Sequence, residues 1–140
     1  MRFLELYQEA TDLYGLIHAR FIETPKGLAI MREKFLQGKF GNCPRVLCER
    51  QNVLPIGMSE EIRTSRVKVY CPRCEDVYMP KKKEHDVDGA YFGCSFPHIL
   101  LMVRSWLRKT YEDLQPLMPY NTYVPKVHGF RIYKKKGSAY

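Results

Sequence analysis

Cys43-Pro44-Arg45-Val46-Leu47-Cys48 and Cys71-Pro72-Arg73-Cys74 are the two stretches that decide the fold of this chain. The first places four residues between its cysteines, the second places two, and 22 residues separate the two stretches. Each opens with a Cys-Pro step, and proline suits a tight turn because it fixes φ and lacks an N–H. Two such turns facing each other can direct four thiolates at one ion, and Zn²⁺ takes four thiolates tetrahedrally at about 2.3 Å. The four cysteines therefore predict one structural zinc ion per chain, with no ligand position left for a substrate.

Three other interpretations of these cysteines remain open at the level of sequence. Two disulfides can use the same residues, but paired turns of this kind are more typical of metal sites in a chain without a secretory signal. A redox pair is expected to open a helix, whereas residues 75–80, which follow the second pair, resemble a short strand ending in proline. An iron–sulfur cluster also accepts four cysteines, and the spacing does not exclude it. Zinc is favoured because each turn supplies two ligands.

Length and composition indicate one domain or two small lobes that share a core. The chain has 140 residues, of which 45% are hydrophobic and 13% aromatic, so it has enough apolar side chains to bury a core. No apolar run approaches the roughly 18 to 20 residues of a membrane span, and the first residues show no signal-peptide hydrophobic region. We therefore expect an intracellular protein in a reducing compartment, without membrane association.

The charge of the chain leaves a second class of function open. Its 23 Lys and Arg residues outnumber 15 Asp and Glu residues, giving a formal charge of +8. Such a surplus can bind nucleic acid or another polyanion, although a solvated basic surface explains it at least as well. The lysine runs at 81–83 and 134–136 are short and lack the interleaved aromatic residues of a single-strand binding platform. A nucleic-acid-binding zinc ribbon is therefore the alternative function.

Periodic patterns place helices on both sides of the cysteine turns. Apolar residues recur at spacings of three and four from residue 3 to about residue 22, which predicts an amphipathic helix. Thr24 is a good N-cap and Pro25 suits the first position of a second helix, which Gly38 can end. The alternating stretch 66–70 predicts a strand, and 76–79 predicts its returning partner, so that the second cysteine turn joins a zinc-ribbon hairpin.

A third helix is expected to open at Phe96-Pro97 and to continue to Lys109, before an extended aromatic tail. The predicted fold class is α+β, with a small helical lobe packed beside a four-cysteine zinc ribbon and an extended C-terminal tail. The predicted segments are the N-terminal part of the helical lobe, the zinc-ribbon lobe, a helix returning to the helical lobe and a C-terminal docking tail: 1–40, 41–93, 94–119 and 120–140.

Two apolar features of the sequence predict contacts with partners. The ribbon is expected to expose Val46, Leu47 and Val53, which a two-fold contact can bury symmetrically, and this predicts a homodimer. In the tail, Gly129 permits a tight turn that can present Phe130 as an anchor for a hydrophobic pocket of a partner. The alternative for Phe130 is that it covers the core of its own chain.

Seven stretches of the chain match the motifs of a known family, in the same order: 14–20, 43–48, 54–57, 67–74, 88–93, 96–98 and 124–132. Together they resemble the casein kinase II regulatory (beta) subunit family, over roughly residues 7–133. Several separated motifs in the correct order are far more specific than a single Cys-x-x-Cys.

The resemblance implies a non-catalytic regulator of a serine/threonine protein kinase, found in the cytoplasm and nucleus. It implies a zinc-dependent homodimer joined through its ribbons, which binds two catalytic (alpha) subunits in a heterotetramer. It also implies that this dimer positions catalytic subunits and protein substrates and modulates stability, activity and substrate choice. The sequence agrees in having no kinase Gly-rich loop, HRD or DFG signature.

The resemblance also assigns interaction residues by motif. It implies a dimer seam around Pro44, Val46 and Leu47, to which the apolar pattern adds Val53. It implies docking of the kinase subunit by the tail and by one residue of the third helix: Val127, His128, Gly129, Phe130, Ile132 and Ile99.

Overall fold

Three helices and two small antiparallel sheets form within the residues that the structure, a computed structural model, describes, namely 2–103 and 125–132. The helices are α1 (Arg2–Phe21), α2 (Pro25–Leu36) and α3 (Phe96–Met102). The strands are β1 (Leu54–Ile56), β2 (Lys68–Cys71), β3 (Asp76–Tyr78), β4 (Lys126–Val127) and β5 (Phe130–Arg131). The first sheet has the order β1-β2-β3, and β4 pairs with β5. The predicted α+β class is confirmed.

Helix α2 begins and ends where its sequence signals predict. Thr24 is the N-cap, and its side chain accepts a hydrogen bond from a backbone N–H of the first turn at 3.2 Å. Gly38 follows the helix with φ of +69°, a conformation that glycine adopts without steric cost. Its N–H donates to the carbonyl of Phe35, and the N–H of Lys39 donates to that of Lys34, both at 3.0 Å. These two bonds are the Schellman pattern that satisfies the last carbonyls of a helix.

The predicted ribbon hairpin is formed by β2 and β3. Val69 pairs with Tyr78 and Cys71 pairs with Asp76, so the second cysteine turn closes the end of the hairpin. Glu75 adopts φ of 57° in this turn, and its N–H donates to the carbonyl of Cys71 at 2.8 Å. Strand β1 adds to the other side of β2 and completes the sheet. The strand predicted at 66–70 is observed two residues later, and its returning partner is observed one residue shorter.

Two clusters of buried side chains make up the core. The first joins α2, β1 and α3 and consists of Ile22, Leu28, Met31, Phe35, Leu54, Phe96 and Leu100. The second surrounds the cysteine turns and consists of Cys43, Cys48, Val53, Val69 and Cys71. Phe40 is half-buried and packs against both clusters. The cluster of four cysteines is therefore part of the hydrophobic interior and does not project from the surface.

Helix α1 is attached to the body through one small residue and a few polar contacts. Gly15 is buried, and a Cβ atom there would lie 2.2 Å from ring carbons of Tyr91, so only glycine permits this approach. The Nδ1 atom of His18 lies 2.7 Å from the carbonyl oxygen of Tyr91, and Arg63 pairs with Asp12 at 2.8 Å. The predicted apolar face of the helix is largely exposed to solvent. Its exposed large apolar residues are Phe3, Leu4, Leu6, Tyr7, Leu13, Tyr14, Leu16, Ile17 and Phe21.

Some sequence predictions fall on residues that the structure does not describe. The third helix is observed from Phe96 to Met102, and the rest of its predicted length lies outside the described residues. Parts of the predicted segments 94–119 and 120–140 lie there as well, so the division into four segments stays a prediction. Over 2–103 and 125–132, no helix is long and apolar enough to cross a membrane.

Candidate metal centre

The four predicted ligand cysteines converge on one point. The Sγ atoms of Cys43, Cys48, Cys71 and Cys74 all lie within 4.8 Å of one another. Cys43 and Cys74 have their sulfurs 3.9 Å apart, as do Cys48 and Cys71. A tetrahedron of sulfurs held at about 2.3 Å from zinc has edges of about 3.8 Å. The arrangement therefore has the size of a shell around a single tetrahedral ion.

Each turn is shaped by its backbone so that both of its thiols face inward. In the first turn, the N–H of Arg45 approaches the Sγ atom of Cys43 at 3.5 Å, as in ligand turns where backbone amides face the sulfur. A 3-10 turn, Val46–Cys48, then brings the second thiol round. Glu49 and Arg50 follow with φ of 52° and 57°, which reverses the chain toward β1. This left-handed pair sends the chain away from the centre immediately after the second ligand.

The geometry decides between the interpretations that the sequence left open. Sulfurs joined in a disulfide lie about 2.05 Å apart, whereas all five cysteines here are free, so the disulfide interpretation is wrong. The second pair is followed by a strand rather than a helix, which argues against a redox pair. Sulfurs within 4.8 Å of one another leave room for one ion, but not for a cluster of several irons and bridging sulfides. The four cysteines can bind a single metal ion.

Burial sets the protonation of two of the thiols. Burial is the largest cause that raises the pKa of Cys48, followed by its contacts with neighbouring cysteines. Burial likewise raises the pKa of Cys71 to about 12. A neutral thiol is therefore favoured at both positions at neutral pH without an ion. Because a thiolate is the ligand form, metal binding must release these protons, and the affinity for metal must fall as the pH is lowered.

Cys74 differs from these two thiols because its partner is a side-chain hydroxyl. Its Sγ atom lies 3.2 Å from the hydroxyl oxygen of Tyr78. Burial would raise the pKa of Cys74, but hydrogen bonds from Tyr78 and from the N–H of Asp76 outweigh it, and the pKa is lowered. Burial and the same contact raise the pKa of Tyr78. Cys74 is thus the position where a side-chain hydroxyl stabilises the thiolate.

Two arginines occupy matching positions, directly after the proline of each turn. Arg73 donates from Nη1 to the carbonyl of Cys48 at 3.4 Å and lies 3.8 Å from the carboxylate of Glu49. The second turn is thereby tied to the first. The pKa of Arg45 is raised, first by the charge that Tyr78 can carry and then by those of nearby thiolates. Positive charge beside the centre offsets the net negative charge that four thiolates leave on a divalent ion.

Tyr78 and Asn52 are residues of the centre that the sequence analysis did not single out. Tyr78 lies two residues after Asp76 in β3, so the two side chains are on the same face of the strand. The alternation of side chains along the predicted strand was the sequence signal that could have identified Tyr78. Asn52 donates from Nδ2 to the carbonyl of Phe35 at 3.0 Å and accepts from Asn42 at 2.8 Å. It links the end of α2 to the first cysteine turn, and nothing in its local sequence pattern indicated this.

The structure separates the predicted dimer-seam residues into two groups. Pro44 is exposed, Val46 is 89% exposed and Leu47 is 37% exposed, so the outer surface of the first turn is apolar. Val53 is 1% exposed and packs in the core cluster around the cysteines. The prediction that Val53 is exposed is therefore wrong, because the first cysteine turn folds over it. Val53 cannot supply apolar surface to a seam.

The predicted docking residues of the tail lie on a tight hairpin. Strands β4 and β5 are joined by His128 and Gly129, which have φ of 50° and 83°. The hairpin exposes Val127 at 54%, Phe130 at 78% and Ile132 at 58%. Phe130 therefore does not cover the core of its own chain. Whether these residues bind a kinase subunit stays a prediction.

Ile99, the predicted docking residue of the third helix, has a different environment. It lies on α3, is half-buried and packs against the first core cluster. Ile99 also lines a groove, together with Leu16 and Ile17 of α1 and other residues. Ile99 therefore contributes to the core and offers only part of its side chain to a partner.

A helical region joined to a hairpin with a four-cysteine centre defines a small α+β protein of the metal-ribbon class. The sequence model of the casein kinase II regulatory subunit family matches residues 2–131 of this chain. The chain therefore belongs to that family. A regulatory family agrees with the prediction that the chain is not an enzyme.

Curated relatives of this chain include proteins that carry the name of this family. The chain is 52% identical to casein kinase II subunit beta of Dictyostelium discoideum over 130 residues, which are 92% of this chain and 46% of that protein. It is 48% identical to casein kinase II subunit beta of Schizosaccharomyces pombe over 130 residues, 92% of this chain and 53% of that protein. It is also 44% identical to the suppressor-of-stellate-like protein of Drosophila melanogaster over 127 residues, 91% of this chain and 55% of that protein. The chain spans about half the length of the curated relatives it matches.

Proposed function

We propose that this chain acts as a non-catalytic regulatory subunit of casein kinase II. In this role it binds and positions catalytic subunits and protein substrates, and it modulates the stability, activity and substrate choice of the kinase. The observation that carries the proposal is the family match over residues 2–131, which includes both cysteine turns and the tail hairpin. Such a subunit can favour the active kinase only by binding the active conformation better than the inactive one.

The ion of the centre is proposed to be Zn²⁺, one per chain, held by Cys43, Cys48, Cys71 and Cys74. The support is the set of four thiols at a spacing that suits a tetrahedral shell. Zinc bound in this way supplies folding free energy rather than chemistry, since four protein ligands leave no open position. The chain's part is to bring two turns together, to bury the centre and to stabilise thiolates by hydrogen bonds, as from Arg45 and Tyr78.

The proposed homodimer joins two chains through the first cysteine turn. Support comes from the exposed apolar side chains of Pro44, Val46 and Leu47, which stand on a backbone fixed by two buried ligands. A two-fold contact lets each chain bury this patch against the same patch of the other. The metal is then required for assembly, because it holds the patch in shape.

The proposed contact with the catalytic subunit is the tail hairpin. A two-residue turn places Phe130 directly after the tip of the hairpin, with Val127 opposite it and Ile132 beside it. Such a turn can present one aromatic side chain to a pocket of a partner. The five free cysteines fit an intracellular, reducing location, in the cytoplasm and nucleus.

Native mass spectrometry of the purified protein, alone and with a casein kinase II catalytic subunit, tests the proposal. We expect a dimer with one zinc ion per chain, and a complex with two catalytic subunits once they are added. A well-folded zinc-free monomer would contradict the metal and dimer parts, and a mixture without any complex would contradict the regulatory role. Binding to unrelated DNA sequences with a steep salt dependence would instead favour the nucleic-acid alternative.

A further inference from the structure

A groove lies between the end of α2, the ribbon sheet and the loop that follows β3. Its volume is about 540 Å³, within the range of about 300 to 1,000 Å³ that is typical of small-molecule sites. Its walls are mostly apolar, and the lining side chains of that kind are Phe40, Pro55, Val67, Val69, Pro80, Val87 and Phe92. Val67 and Val69 are buried, and Val69 belongs to β2, so the sheet forms part of the floor of the groove.

The polar groups that line this groove are two cations, a histidine and an amide. They are Lys34 and Gln37 from the last part of α2 and its cap, Lys39, and His85. Among the side chains that the structure describes, no carboxylate lines the groove. Within the described ranges, neither lysine forms an ion pair. The groove thus combines an apolar floor with uncompensated positive charge.

Three carboxylates close in sequence to the lining residues have partners of their own. Glu33 lies 4.0 Å from Arg32, and Asp86 lies 3.6 Å from Arg66. Asp88 accepts hydrogen bonds from backbone N–H groups. An anion that enters the groove would therefore meet two lysines that none of these three acids neutralises.

We propose that this groove binds a small organic anion, an aromatic ring system that carries a carboxylate. The ring would lie on the apolar floor and lose its contact with water, which supplies most of the affinity. The carboxylate would stay near the lysines at the rim, whose ammonium groups act as compact point charges. None of the four cysteines and no residue of the tail hairpin lines the groove, although Val69 and Phe40 also pack with the cysteine cluster. The proposal goes beyond the proposed regulatory function.

Titration of the zinc-loaded protein with naphthalene-2-carboxylate, followed by amide NMR and calorimetry at low salt, tests this site. We expect saturable binding that perturbs amides of Phe40, Val67 and Val87, and weaker binding of the neutral naphthalene-2-carboxamide. The variant K34Q/K39Q should bind the carboxylate about fivefold to tenfold less tightly. The matched variant K26Q/K126Q removes two exposed lysines outside the groove and should bind as the unmodified protein does.

A second variant keeps the test independent of charge. Val87→Phe places a larger side chain in the wall of the groove and should abolish carboxylate binding while the amide spectrum stays folded. Equal affinity for carboxylate and carboxamide, or equal weakening in both double lysine variants, would overturn the charge argument. Perturbed amides that lie elsewhere, or full binding to the Val87→Phe variant, would overturn the location.

A separate observation at the centre carries a second inference, which rests on the proposed metal site. A metal-bound cysteine is a thiolate and has no proton to donate, so the contact of 3.2 Å between Tyr78 and Cys74 must run from the hydroxyl to the sulfur. We infer that Tyr78 is a positioning residue for the metal. It holds the thiolate in orientation and withdraws charge from it, as outer partners of metal ligands do.

Tyr78→Phe tests this role through metal transfer to a coloured chelator and through the spectrum of the cobalt-substituted protein. We expect metal release about tenfold faster and a shifted thiolate-to-cobalt charge-transfer band. The matched variant Tyr7→Phe removes the same atom from an exposed residue of α1 and should change neither. A lower melting temperature with an unchanged band and release rate would overturn the positioning role. Unmodified protein without bound metal would instead overturn the centre itself.

Discussion

Replacement of Phe130 by alanine distinguishes a docking role of this side chain from a role in the protein's own core. Phe130 is 78% exposed on the tail hairpin, so about a fifth of its surface is hidden within the chain. With about 200 Å² for a phenylalanine side chain, the hidden part is about 45 Å², which is worth about 1 kcal/mol at about 25 cal/mol per Å². The free energy of unfolding should therefore fall by about 1 kcal/mol or less.

Binding to the kinase should respond far more strongly than stability. If a pocket of the catalytic subunit covers the exposed part of the ring, about 150 Å² leaves water, and the same coefficient gives about 4 kcal/mol as an upper value. Anchors of this kind cost about 2 kcal/mol or more when they are truncated, which is about thirtyfold in affinity. We expect a loss of at least that size.

Calorimetric titration with the catalytic subunit measures the kinase affinity, and thermal melts on the same preparation measure the stability. Phe3→Ala is the matched control, because Phe3 is 77% exposed but lies on α1 rather than on the hairpin. It should leave the kinase affinity unchanged. Equal affinity of Phe130→Ala and unmodified protein would remove Phe130 from the interface. A loss of about 3 to 5 kcal/mol of stability would show a core role and refute the reasoning from exposure.

The remaining predictions concern the centre, the α1 contact and the seam. Cys71→Ser removes one of four ligands and should lower both the zinc content and the melting temperature, because metal binding contributes folding free energy; full zinc occupancy by elemental analysis would contradict this. Gly15→Ala should destabilise the protein by about 1 to 3 kcal/mol in denaturant unfolding, because its Cβ would overlap the ring of Tyr91, and an unchanged midpoint would contradict the packing. Val46→Asp should give a zinc-loaded monomer by light scattering, since it places a charge in an apolar two-fold contact. A persistent dimer would move the seam elsewhere.

The sequence predicted the parts of the molecule that short-range chemistry determines. The two Cys-Pro turns have few ways to fold that bring their thiols together, so their spacing alone located the centre. The sequence also predicted the caps of α2, because Thr24 and Gly38 act on backbone groups within a few residues of themselves. In each case the interaction that fixes the structure is encoded next to the residue that it fixes.

Burial at Val53 and the contact of Tyr78 could not be predicted in this way. Val53 lies between the cysteine turns and is covered where the first turn, Val69 and Cys71 pack around it. This burial depends on how distant parts of the chain meet, which local pattern does not specify. Tyr78 and Cys74 are only four residues apart, but their contact depends on the shape of the turn between them, which the residue types did not specify. The same limit applies to α1, whose periodicity predicted an apolar face correctly but not its exposure.

The four-cysteine centre and the helical core are physically joined, so an ion bound at the centre would influence more than the ribbon. Phe40 packs against both core clusters, and Asn52 connects the end of α2 to the first cysteine turn by hydrogen bonds. If the turn unfolded, the carbonyl of Phe35 would lose its bond from Asn52 and keep the bond from the N–H of Gly38. Removal of a metal bound at the four cysteines should therefore weaken one of the contacts that hold the end of α2. The groove rimmed by Lys34 and Lys39 lies between these two regions, so its shape should depend on that metal as well.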